Sequence, residues 1–284
     1  MGFACRSAAM AMLVAASAAS GQGQPAGPPR PADAASAPQI PPDIVPPGGP
    51  KPQEHPGASA DWMGTWDDLW KRRDGPGILQ ELERITQEHV AADPNGFETN
   101  RRQAALVAWE ADGEPDGSED KAAKGKVAWE AGDKAIQANP GDVRGHYFSG
   151  VGVGLYSEGV GILTALSQGL EGKFRERLLA ALRIDKDFLD GAPQVVWGRY
   201  FFKLPWPKRD PEESIRVLRD ALRSHPGNWR AKLYLAESLY LNQLEGQQDE
   251  AHALVQQVLD APGGRDPPEE RRIKEMARKW KSKH

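Results

Sequence analysis

The stretch ESIRVLRDALRSHPGN, residues 213–228, decides the fold. Counting back five, eight and twelve positions from Pro226 gives Ala221, Leu218 and Ser214. Offsets of three, four and seven put side chains on one face of an α-helix, so these residues predict a single buried stripe. The small ones let a neighbouring helix approach closely. Pro226 falls after the helix, where its missing N–H and its ring do no harm.

The same ending recurs upstream. HVAADPNG, IQANPGD and LRIDKDF align with LRSHPGN, with markers Pro94, Pro140, Lys186 and Pro226 at intervals of 46, 46 and 40 residues. The stripe before Lys186 is Ala181, Leu178 and Phe174, and before Pro140 it is Ala135, Gly132 and Ala128. Before Pro94 the same offsets give His89, Thr86 and Leu82, a poor match that makes the first unit the least regular. Units of this length suit a pair of helices with short connections, each copy burying its apolar face on the next.

Small residues also punctuate the helix preceding each stripe: Gly150 in YFSGVGVG, Gly198 in VVWGRYFF and Ala236 in LYLAESLY. With the marker spacing, this resembles the tetratricopeptide-like superfamily from Trp62 to Leu259, in units longer than the usual ~34 residues. The resemblance implies an all-α, right-handed α-α solenoid of about four helix pairs, with a C-terminal capping helix around Pro267–Lys281. A narrower resemblance spans Ala180–Pro226, through AALRIDKDF, GAPQVVWGRYFFKLPWP and ESIRVLRDALRSHPGN. It is similar to the T-component family of TRAP transporters, exported proteins of tetratricopeptide-like fold. That likeness implies binding of a periplasmic solute-binding protein, or of a small apolar ligand. The family typically carries a lipid anchor. Here Cys5, the one cysteine, precedes the apolar run instead of following it.

The remainder of the chain divides by composition. Arg6 followed by the apolar run Ala8–Ala19, with small residues at Ala16, Ala18 and Ser20, predicts a signal peptide over residues 1–20. Residues 21–60 carry Pro-Pro pairs at Pro28, Pro41 and Pro46, and predict a disordered Pro/Gly-rich linker. All nine tryptophans fall between Trp62 and Trp280, which places the helical domain at residues 61–284. A periplasmic or secreted location follows, with no transmembrane helix in the mature chain. Forty acidic against 36 basic residues leave a net charge of -4, unlike a nucleic-acid binder with its concentrated basic excess.

In solenoids of this kind the first helix of each pair lines the concave, partner-binding face. Flanking the small contact positions there are Arg144, Tyr147 and Val151, then Val195, Arg199 and Lys203, then Arg230, Glu237 and Tyr240. Three arginines on one wall suit a carboxylate or an extended peptide, because guanidinium forks bind carboxylates through two hydrogen bonds. The plainer reading pairs them with acids on adjacent helices. A protein or peptide partner is therefore expected, with Arg144, Tyr147, Arg199, Lys203, Arg230, Glu237 and Tyr240 as its contacts.

Other features read as architecture. Trp206, between Pro205 and Pro207, is expected to pack under its own loop. Trp109 and Trp129 sit in two copies of VAWEA and are expected to fill equivalent core slots on packed helices. Gly150 and Gly154, then Gly161, Ala165 and Gly169, recur at every fourth residue within each run and predict close helix contact; no Gly-Lys-Ser/Thr ending makes them a phosphate loop. The six histidines show no pair at metal-binding spacing, and there is no Gly-x-Ser-x-Gly nucleophile elbow. No catalytic residue, metal or cofactor is predicted.

Overall fold

A computed structural model describes residues 61–284; the predicted signal peptide and linker lie outside the described residues. Helices account for 78% of the described residues, and strands for none. In chain order they are α1 (Asp61–Trp70), α2 (Ile78–Ala92), α3 (Phe97–Gly113), α4 (Glu119–Ala138), α5 (Val143–Val160), α6 (Ile162–Ser167), α7 (Leu170–Ile184), α8 (Phe188–Lys203), α9 (Pro211–Ser224), α10 (Trp229–Asn242), α11 (Gln247–Asp260) and α12 (Pro267–Lys281). None is long and apolar enough to cross a membrane.

The marker sequences are stop–start signals. Helix α4 ends at Ala138, and Pro140-Gly141-Asp142 turns the chain so that Asp142 caps α5 by accepting the Arg144 N–H. Helix α9 ends before Pro226-Gly227-Asn228 in the same way, and Asn228 accepts from the Ala231 N–H. Each cap satisfies an amide that the helix itself leaves without a partner. Six residues after the marker proline, Asn100 donates to the Pro94 carbonyl at 3.0 Å, and the His146 ring bonds the Pro140 carbonyl at 2.9 Å.

Consecutive helices pack as α1/α2, α3/α4, α5/α7, α8/α9 and α10/α11, while α3 also touches α5, α5 touches α8, and α8 touches α10. That makes five pairs where about four are expected, with α6 interposed in the third and α12 packed on α10 and α11. The stripes lie at the pair contacts: Ala221, Leu218 and Ser214, like Ala181, Leu178 and Phe174 and like Ala135, Gly132 and Ala128, are buried. Even the irregular first unit buries Leu82 and Thr86, and Thr86 accepts a 3.0 Å hydrogen bond from the Trp66 indole.

Three of the four apolar clusters among the described residues follow one another along the chain. One gathers Trp62, Trp66, Leu82 and Leu106, another Val153, Phe174, Leu178 and Trp197, and a third Leu218, Leu233, Val255 and Ile273. Helices α4 and α5 join on a seam of glycines. A methyl group on Gly152 would lie 2.3 Å from the Trp129 amide, and on Gly159 2.3 Å from the Ala122 amide. From the other side, one on Gly132 would meet the Ser149 amide at 2.5 Å and one on Gly125 the Tyr156 amide at 2.4 Å. The expected glycines are not the ones in this seam. Gly150 and Gly154 leave 3.3 Å or more to their neighbours, and Gly161 and Gly169 adopt positive φ at helix boundaries with open space around them. The working spacing is seven, not four, because two closely packed helices meet again only every second turn.

Candidate functional site

Helices α3, α5, α8, α10 and α12 turn one side toward a shared cavity of about 2600 Å³. Arg144, Tyr147, Val151, Val195, Arg199, Lys203, Arg230, Glu237 and Tyr240 all line it. Sequence spacing thus brings the nine flank positions to one wall.

The charged members do not face it bare. Arg144 donates to its own cap residue Asp142 at 2.6 and 2.9 Å, lies 3.7 Å from Glu98, and stands 4.9 Å over the Phe97 ring. Arg199 pairs with Glu237 and stacks 4.4 Å from Phe202 and 4.3 Å from Tyr234. Lys203 reaches Asp116 at 2.7 Å and Glu158 at 2.9 Å. Arg230 holds Asp112 through both terminal guanidinium nitrogens at 2.8 and 3.2 Å, Glu269 at 2.6 Å through Nε, and the Tyr234 hydroxyl at 2.9 Å. The charged wall residues are therefore ion-paired: Arg199 to the adjacent α10, as the plainer reading expects, but Arg144 to its own cap residue and Arg230 to Asp112 on α3.

Electrostatics follow from these contacts. Burial opposes ionisation of Asp112, but Arg230 and Arg272 outweigh it and hold the carboxyl well below the ordinary aspartate range. Burial likewise works against Asp116, yet Lys121 and Lys203 bring it to about 2. Burial would lower Lys203, and Glu158 and Asp116 raise it instead. Burial, with help from Glu269, Tyr234 and Asp112 and against the pull of Arg230, pushes the Tyr147 phenol up; its ring packs edge-on against Phe148 and Phe188 at 5.1 and 5.4 Å. Tyr240 lies against the tilted His284 ring at 4.3 Å and meets Trp280 edge-on at 5.4 Å.

Two sequence expectations are corrected here. Trp206 is 87% exposed: the loop holds its indole out from the body and nothing folds over it. The two VAWEA tryptophans do not share equivalent slots. Trp109 lines the cavity, with the Arg73 guanidinium 4.0 Å and the Arg272 guanidinium 3.2 Å from its ring centre. Trp129 is half-buried, donates to Asp133 at 2.9 Å and lies under Lys173. An identical pentapeptide fixes the local helix, while the partner elements differ.

Sequence reasoning misses the acids that complete the wall. Asp112 ends α3 and Asp116 sits in the α3–α4 turn, and both serve cations contributed by α8, α10 and α12. It also misses the entry to α8, where Leu189, Asp190 and Gly191 all have positive φ. That left-handed turn is held by Asn228 donating to the Asp190 carbonyl at 2.9 Å and by His225 on Asp187 at 2.9 Å. Acidic turns are common in surface loops, so no local signal marks these. The chain matches no protein-family model and no curated protein, so the two family resemblances rest on the motifs quoted above.

Proposed function

We propose that this chain is an exported, non-catalytic helical-repeat scaffold that binds a protein or peptide through the concave side of its paired helices. The observation that carries this reading is the cavity wall. One side of each of α3, α5, α8, α10 and α12 contributes to the lining of a single cavity. Such surfaces are the usual partner grooves of tetratricopeptide-like solenoids. Its volume of about 2600 Å³ exceeds the ~300–1,000 Å³ that suits a small ligand. Its lining mixes aromatic rings with ion-paired side chains, which suits a peptide more than a purely apolar molecule. The second class of partner, a TRAP-type solute-binding protein, would use the same face.

Photo-cross-linking residues test the reading. They are placed at Val151 and Met276, which line the cavity and are not ion-paired, and at Gln137 and Lys134, exposed on α4. Binding through the concave side gives one discrete, stoichiometric adduct from the first two positions only. Adducts from the α4 positions alone would refute it.

A further inference from the structure

The turn after α1 and the end of α3 meet α10 and α12 across the cavity through polar contacts. Arg73, in the turn after α1, donates to Asp266 at the start of α12 at 2.9 Å. Arg271 of α12 returns a 2.8 Å bond to Asp74. Asp112, at the end of α3, takes Arg230 at 2.8 Å and Arg272 at 3.2 Å, and Arg272 also donates to the Trp109 carbonyl at 2.7 Å. Among the described residues these polar ends and the Arg272 guanidinium over the Trp109 ring are the contacts found across the seam.

No apolar cluster crosses it among the described residues. The cluster built on Trp66 and Leu106 draws only on residues before Val151, and the cluster built on Leu233 and Ile273 only on residues after Val160. No helix of α1–α3 packs its backbone along α10 or α12. Elsewhere ion pairs such as Arg199–Glu237 and Lys203–Glu158 stand beside apolar burial or the glycine seam, which salt does not weaken. Of the seam's ion pairs Arg271–Asp74 is the most exposed and the most readily screened by salt, and the more buried Arg73–Asp266 and Asp112 pairs are screened less.

We propose that this seam is an ionic clasp, a strap that holds the concave face closed and releases as a unit while both apolar ends stay folded. Opening separates α1–α3 from α10–α12 by flexing the helix pairs between them, and widens access to the wall on which Tyr147 and Arg199 stand. The inference concerns the chain alone, so it can fail without the partner-binding reading failing.

Distance measurement between paired spin labels tests it in the full chain carrying Cys5→Ser. One pair spans the seam at Arg72 and Glu275; a control pair sits within the C-terminal helices at Arg223 and Gln256, all four being exposed. Raising salt from about 0.1 to 1 M shortens the screening length from ~10 to ~3 Å. The seam pair then lengthens by ~10 Å, one helix diameter, while the control pair stays fixed. Combining Asp74→Asn with Asp112→Asn gives the longer distance already at low salt. Asp74→Asn alone, in an exposed turn where folding is not at risk, gives a smaller change in the same direction. A seam distance that ignores both salt and these substitutions overturns the clasp. So does a lengthening accompanied by loss of helicity, which would be unfolding and not opening.

Discussion

Asp112 and Arg230 lie 118 positions apart and meet inside the cavity through two hydrogen bonds, 2.8 and 3.2 Å long. Arg230 also donates to the Tyr234 hydroxyl one turn along its own helix, but its acids come from α3 and α12. Arg272 shares the same carboxylate, so one acid answers two guanidinium groups.

Removing one member of such a group leaves the others desolvated and short of a counter-charge. Breaking a buried pair from one side costs about 3–5 kcal/mol. Asp112 keeps some solvent contact and Arg230 keeps Glu269, so the lower end applies. Asp112→Ala is expected to cost ~3 kcal/mol, a fall in Tm of roughly 6–12 °C for a domain of this size. A double-mutant cycle with Arg230→Ala should show that the two losses do not add. The pH dependence has a definite sign. The folded-state pKa of Asp112 is depressed, so its contribution is present above the ordinary aspartate value near 3.8 and is lost as pH falls through the folded value. In acid melts, wild type should therefore lose its advantage over Asp112→Asn.

The glycine seam allows a sharper comparison. In a helix interior Gly→Ala normally stabilises by about 0.5–1 kcal/mol. Gly150 has room for a methyl group, with its nearest neighbour at 3.5 Å, so Gly150→Ala should raise Tm slightly. Gly152, two residues along the same helix, would drive a methyl group into the Trp129 amide. Backbone cannot rotate away, so α4 and α5 must separate. Gly152→Ala should cost ~3 kcal/mol or more, at the severe end of overpacking changes. Thermal melts of the two variants decide this.

That contrast shows what the sequence carries. The stripes ending at Pro140, Lys186 and Pro226 are legible because each is local: a helix period, a small residue and a stop signal within one segment. The flank residues from Arg144 to Tyr240 reach one cavity because those periods set which side of each helix faces inward. Which glycines touch, and which acids answer Arg230, depends on the register between segments far apart in the chain. Trp206 shows the same limit in reverse, since flanking prolines fix its backbone but not whether a neighbour covers it.

An indole 87% exposed contributes no core, so its removal should leave stability alone. Trp206→Ser is expected to shift Tm by about 1 °C or less, within the ±0.5 kcal/mol typical of surface changes. The emission of this indole should also be quenched by acrylamide far more readily than that of buried Trp66. A fall of several degrees would show that the loop packs on its own tryptophan after all.

Glu110, on α3, bears the opposite electrostatic load to Asp112. Burial, then the facing carboxyl of Glu83 on α2, push its pKa up to about 7, against a weaker pull from Lys124 on α4. A carboxyl with a raised folded-state value is worth most when protonated. Its contribution is full below the ordinary glutamate value near 4.5 and is lost as pH rises through about 7. Glu110→Gln mimics the protonated form at every pH. It should leave Tm unchanged at pH 4 and raise it by about 2–4 °C at pH 8, the response to ~1 kcal/mol in a domain of this size. Glu83→Gln relieves the same repulsion from the other side, so the double variant should gain little beyond either single one. Equal gains at both pH values would mean that the amide helps by packing, and that the two carboxyls do not share a proton.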